Sequence, residues 1–447
     1  MPRGLLPRRT GPKVATAPRR SLALPLLPAV VALSAALGIP AAGGASFGTP
    51  IASVTTVAGA GSPGVSPSGT LARKTLLDDP TGIAVDGAGD LFLADTGNCR
   101  IDEVRGGAPG KPRLTRVAGD SCTGAPFDNG RPARTTNVGF ARGVAVDAVG
   151  DLFIADTSGN RVLEVPATGG QHFGLTMTAG HLYTVAGTGA AGFSGEGRPG
   201  PQATLDAPVG VAVDGAGDVF IADTANCRVR EIPAVSTTRD GGTLGVGHIY
   251  TVAGTGSCGT PLGAGVDGDG GPALSAQVWT PSSVAVDSAG DLFISDRGND
   301  EVREVPTASG TYFGVAIGAG DIATIAGSAT GYSPYLVDGL SATGATAELN
   351  FVSGIALDPS GDLFIADGYS RALREVPDRT GLSFGRPVTA DEMYTLAGAL
   401  PSGPIQDQSR WILTRVTYPN DVAVAPGGVL YFSDPGANVV RSIRPVS

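Results

Sequence analysis

Histidine is nearly missing from this chain. Only His172, His181 and His248 occur in 447 residues, which leaves little material for a histidine-based metal centre or a Ser/His/Asp arrangement. Lysine is equally rare, with three against 28 arginines, and the formal net charge is −10 at pH 7. That balance lacks the basic footprint that nucleic-acid binding requires. Cysteine (four) and tryptophan (two) are scarce enough that each one carries information. Glycine and proline are abundant, at 69 and 34 residues, as a chain of many tight turns demands.

The chain begins with an export pattern. Residues 1–20 hold six basic groups (Arg3, Arg8, Arg9, Lys13, Arg19, Arg20) and no acid, residues 22–39 are almost all apolar, and residues 41–45 are small. This is the order of a secretory signal, expected to cover residues 1–45. Pro25, Pro28 and Gly38 interrupt the apolar run and make it a poor spanning helix. Removing the six basic residues takes the net charge to −16. The expected location is therefore extracellular or in the cell envelope, with no membrane span in the mature chain.

Beyond this segment the chain repeats one unit six times. Copies begin at Pro80, Ala141, Pro208, Pro281, Val352 and Pro419, and the third reads PVGVAVDGAGDVFIADTANCRVREI. Each predicts three strands separated by a Gly–Asp turn and an Asn-bearing turn, because Gly and Asn supply the left-handed backbone such turns need. A fourth strand of T-V-A-G type precedes each copy, ending at Gly59, Gly119, Gly187, Gly254, Gly327 and Gly398. Four strands per period of roughly 60–75 residues predict an all-β fold, a six-bladed β-propeller of four-stranded antiparallel blades over residues 46–447. No fourth strand comes after the last copy, so residues 54–59 are expected to complete the sixth blade and close the ring. The V-A-V-D strands would be innermost, where only small residues fit. From the third-strand Glu to the T-V-A-G glycine there are 24 residues in blades 2 to 5, as in Glu164 to Gly187, which predicts an extra hairpin.

The acids keep to the repeat. Sixteen of 41 fall in three registers: Asp86, Asp147, Asp214, Asp287, Asp358; then Asp90, Asp151, Asp218, Asp291, Asp362; then Asp95, Asp156, Asp223, Asp296, Asp367, Asp434. A ring of carboxylates at the channel mouth is one reading of the first register; turn chemistry is the stronger one, because the Asp recurs with its turn. Asp267 and Asp269 hint at Ca²⁺ but lack the rest of an EF-type loop.

The P-x-G-V-A-V-D-x-x-G-D-L-F-I-A-D-T-x-N-x-R-V pattern resembles the NHL repeat. T-V-A-G-T-G with D-G-x-G-G-P-A resembles its bacterial and teneurin-type extracellular versions. The resemblance covers about residues 51–447 and implies a six-bladed propeller. NHL members include interaction modules, sensor domains, RNA-binding domains and an amidating lyase, so the resemblance does not choose a function. The lyase would need several metal-binding histidines at the channel, which this chain lacks.

Cysteine is more specific. Cys99 and Cys227 share one repeat position, Cys122 and Cys258 another, and the other blades have neither. That co-occurrence predicts disulfides Cys99–Cys122 and Cys227–Cys258, in keeping with export. Trp279 and Trp411 lie in connections on one face of the disc and are candidates for stacking on a sugar or peptide. His172 stands alone, and the axial positions Arg142, Ser282 and Asn420 vary without forming a ligand set. The expected function is a non-catalytic binding propeller, monomeric and without cofactor, for a protein, peptide or cell-wall glycan. The alternative is a metal-dependent hydrolase or lyase, resembling lactonase or streptogramin-lyase propellers.

Overall fold

The computed structural model describes residues 54–106, 111–120, 122, 127–239, 242–258, 268–328, 338–343, 347–398 and 415–445. The expected signal at residues 1–45, and both Trp411 and Asp267, lie outside them. Among the described residues no helix is long and apolar enough to cross a membrane.

Six antiparallel sheets form the body, one per copy. In blade 1, Pro80–Val85, Leu91–Asp95, Arg100–Val104 and Leu114–Ala118 pair in chain order. The inner strands of consecutive blades touch all the way round, and that of the sixth, Val422–Val424, returns to Pro80–Val85. Closure is as expected: Val54–Ala58 pairs antiparallel with Val439–Ile443, Val54 opposite Ile443. The junction is close enough to require glycine, since a Cβ on Gly59, at φ +94°, would lie 2.3 Å from the Asn438 carbonyl oxygen.

Crowding at the axis explains the small residues of the inner strands. A Cβ added to Gly82 would lie 2.3 Å from the Arg142 carbonyl oxygen, and one on Gly143 would lie 2.3 Å from that of Val209. The same holds at Gly210, 2.7 Å from the Ser283 Cα, and at Gly354, 2.5 Å from the Asp421 Cα. Where Ser283 and Asp421 replace this glycine, their side-chain oxygens accept the next blade's backbone N–H, from Ile355 at 3.4 Å and Ile83 at 2.8 Å. Farther out, apolar side chains fill the space between neighbouring sheets. Phe153, Val185, Leu205, Ile221 and Ile249 belong to one buried cluster joining blades 2 and 3, each such side chain contributing about 1.5–3 kcal/mol.

The Asp registers are the frame of each blade. First-register Asp accepts two backbone N–H groups of its own turn, as Asp214 Oδ1 does from Ala216 at 2.9 Å and Asp218 at 2.8 Å. Second-register Asp holds the chain leaving the third strand, as Asp218 does with Ala234 N–H at 2.7 Å. Third-register Asp holds the chain entering the blade, as Asp223 does with Asp206 N–H at 2.8 Å, and also takes the Asn226 amide at 2.9 Å. The carboxylate-ring reading of the first register therefore gives way to turn chemistry. Asp269 is likewise occupied, accepting from Arg303 Nε at 3.1 Å and Thr324 N–H at 2.9 Å.

The constant 24-residue spacing resolves into four hairpins, such as Gly170–His172 with Leu175–Met177 and Gly310–Tyr312 with Val315–Ile317. Both disulfides form, Cys99–Cys122 and Cys227–Cys258, spanning 23 and 31 residues. They fit an oxidising compartment. Replacing Cys227 and Cys258 together by Ser is expected to lower the unfolding free energy by about 2–4 kcal/mol, read from denaturant midpoints; an unchanged midpoint would contradict the structural role.

Candidate ligand site at the axial mouth

The start of every inner strand and the end of every second strand meet at one end of the channel. A small cavity of about 40 Å³ lies there, walled by residues of all six blades that include Gly82, Arg142, Ser282, Arg297, Ser353 and Asp421. Arg142, Ser282 and Asn420, which vary at the axis in the sequence, all line it. Ser282 is structural, its hydroxyl donating to the Val352 and Ser353 carbonyls at 3.0 Å.

The mouth is where the six-fold template breaks. After the third-register Asp, blades 1 to 3 carry Thr96, Thr157 and Thr224. Each Thr hydroxyl donates to a carbonyl of the next blade (Ala141, Pro208 and Pro281), at 2.7 Å. Blade 4 puts Arg297 in that place, and the next position of blade 5 is Tyr369. Just before the inner strands, Phe140, Phe351 and Tyr418 share one register. Phe351 is held at φ +61°, a backbone that a bulky residue adopts at a cost.

These departures gather into one cluster. Phe351 and Tyr369 stack with centroids 4.4 Å apart, and Tyr418 lies 5.7 Å from Tyr369. The Arg297 guanidinium sits 4.5 Å from the Phe351 ring centre, a cation–π contact. Burial lowers the Arg297 pKa; Tyr418 opposes that shift and Arg142 adds to it. Burial pushes the Tyr418 hydroxyl up to about 12, with Tyr369 adding to the effect. Tyr369 is 58% exposed, so one ring faces solvent over a half-buried cationic floor. Asp421 lies in the wall, its carboxyl pushed up to about 7 by burial despite the N–H groups of Ile83 and Val422. Two guanidinium groups and adjacent aromatic faces suit an anionic group attached to a ring or planar surface.

Trp279 is placed on this same face, beside the blade 4 turn that carries Arg297. Its backbone N–H donates to Asp296 Oδ1 at 2.8 Å, and a Cβ on Gly298 would come within 2.4 Å of its ring. It is half-buried and packs on its own blade. Sequence reasoning did not single out Arg297, Phe351, Tyr369, Tyr418 or Asp421. Superposing the six copies and marking the residue that differs would have found all five.

On the opposite face His172 is not alone, contrary to expectation: its Nδ1 lies 2.8 Å from Glu164 Oε1 and 3.2 Å from Asp151 Oδ2. The hairpin that delivers it was expected, but its register was not evident from spacing.

The fold is a six-bladed β-propeller with a small axial cavity. The NHL repeat matches residues 77–101 and 205–232 of the chain. Human teneurin-1 is 28% identical over 245 residues, 53% of this chain, which itself spans 8% of the length of teneurin-1. Among solved structures, a structural-genomics protein of Bacteroides thetaiotaomicron aligns at TM-score 0.55 and 14% identity, covering 88% of this chain and 76% of that one. An auxiliary nutrient binding protein of the same organism aligns at TM-score 0.53 and 10% identity, covering 87% and 75%. At these identities the structural likenesses show the fold.

The raised carboxyls set a pH dependence. Burial raises Asp421 to about 7 and Glu164 and Glu304 to about 8. The native state then binds protons more tightly than the unfolded chain, so this stabilisation is full below about pH 4 and is lost as pH rises through about 7–8. The melting temperature is expected to be higher at pH 5.5 than at pH 8.5, with a shallower slope in Asp421→Asn. An identical slope in that variant would contradict the assignment.

Proposed function

We propose that this protein is an exported binding propeller whose ligand site is the axial mouth, and that it recognises an acidic glycan or peptide of the cell envelope. The observation that carries the reading is the clustering of Arg297 and Tyr369, which stand where blades 1 to 3 keep Thr and a small residue, with Phe351, Tyr418 and Arg142. A residue that breaks a repeat without serving its packing is a functional candidate. The two arginines would take a carboxylate or phosphate, and Tyr369 would stack on an adjoining ring. Export is supported by the N-terminal pattern and the two disulfides.

A second reading rests on Asp421, whose raised carboxyl faces the same cavity and has the character of a general base. The cavity lining holds one carboxylate and no histidine, a poor set for a metal, so an enzyme here would work by proton transfer beside the arginines. Substrate turnover that Asp421→Asn abolishes, with binding intact, would establish that reading.

Titration calorimetry with oligouronides, muramyl peptides and acidic peptides tests the binding reading. Arg142→Ala with Arg297→Ala is expected to weaken the bound probe at least 100-fold, each charge-assisted contact contributing about 1.5–3 kcal/mol. Tyr369→Ala is expected to weaken it about tenfold. Equal affinity of an uncharged analogue, or of the double variant, would overturn it.

A further inference from the structure

In blades 1 to 5 a buried third-strand Glu (Glu103, Glu164, Glu231, Glu304, Glu375) lies near the second-register Asp on the face opposite the mouth, and its surroundings differ from blade to blade. In blade 1, Arg105 Nε donates to Glu103 Oε1 at 2.9 Å. In blade 5, the Ser383 hydroxyl donates to Glu375 Oε1 and Arg386 stands 3.8 Å from Oε2. In blade 4 the hairpin supplies Tyr312, whose hydroxyl turns to the Ala308 carbonyl at 2.7 Å.

Blade 2 is the one whose described residues bring a metal-ligating nitrogen to this pair. The His172, Asp151 and Glu164 ligand atoms all lie within 4.8 Å of one another. Glu164 is fully buried, and neither of its carboxylate oxygens receives a hydrogen bond; the His172 Nδ1 stands 2.8 Å from Oε1. Asp151 is pre-oriented, with Oδ1 accepting the Ala167 N–H at 2.7 Å so that Oδ2 faces the imidazole. Asp147 adds a further negative charge close by. A buried carboxylate without donors is costly, and a cation relieves it.

We propose that Asp151, Glu164 and His172 form a divalent transition-metal site, of which Zn²⁺ is the natural occupant to test. One imidazole and two carboxylates are a ligand set that Zn²⁺ accepts, with water at the fourth position. His172 retains 15% side-chain exposure, which gives the ion and that water an entry path. The Ala167 N–H supplies the outer-shell contact that orients a ligating carboxylate. The ion would pin the Gly170–His172 hairpin arm to the second and third strands, a structural role that does not rest on the axial-mouth reading.

Equilibrium dialysis of the full oxidised chain against Zn²⁺, with Co²⁺ absorption as a second probe, tests the site. One equivalent is expected, with tetrahedral Co²⁺ bands, and Zn²⁺ should raise the melting temperature reversibly to EDTA. His172→Gln and Asp151→Asn should each weaken binding at least tenfold, while His181→Gln with His248→Gln leaves it unchanged. The metal-free melting temperature of each variant reports whether it folds. No bound equivalent in the wild type, or binding that survives His172→Gln, would overturn the proposal.

Discussion

Six sheets converge on one axis, and the inner strands meet there at glycine distance. The placement of everything else in the molecule is set by that contact. Four glycines, Gly82, Gly143, Gly210 and Gly354, have no room for a Cβ against the next blade, so the inner strands cannot carry large functional side chains along their length. Chemistry is displaced to strand ends and turns, where the sheets splay. At one end the first-register Asp residues are consumed by their own turns. At the other end the turns tolerate Arg297, Tyr369 and Tyr418, and Arg297 also lines the axial cavity. Asp421 belongs to both worlds, since it fills a glycine place, satisfies Ile83 N–H and still faces the cavity.

The scaffold around the mouth is stiffened by interactions that would be expensive to leave half-made. Arg230 and Arg303 are fully buried beside Asp223 and Asp296, at 3.6 Å and 3.4 Å. Removing either partner would strand a buried charge, at about 3–5 kcal/mol. Cys99 and Cys227 sit at the left-handed end of the turns after Asp95 and Asp223, so the disulfides tie down the same turns whose blade 4 and 5 equivalents carry Arg297 and Tyr369. A fixed rim lowers the ordering cost of binding.

The sequence makes the scaffold legible for the same reason that it conceals the site. Strand order, ring closure by Val54–Ala58 and the pairing of four cysteines are repeated or paired signals, and repetition is detectable within a single chain. The mouth is built from exceptions scattered over three hundred residues, each ordinary by itself: a Phe before a strand, an Arg in a turn. Tryptophan stands out by rarity, yet Trp279 packs on Gly298. His172 looks isolated in sequence because hairpin register, not spacing along the chain, brings it to Asp151 and Glu164.

On the reading proposed above, the mouth residues serve a ligand and not the fold. That claim is tested most directly by returning them to the template of the other blades, as Arg142→Val, Arg297→Thr and Tyr369→Ala in one chain, and measuring thermal unfolding. If the claim holds, the melting temperature stays the same or rises, because Thr at position 297 would regain the inter-blade hydrogen bond made by Thr96, Thr157 and Thr224. A fall of the size seen for a core substitution would mean that these residues hold the propeller together, and the account of the site would fail.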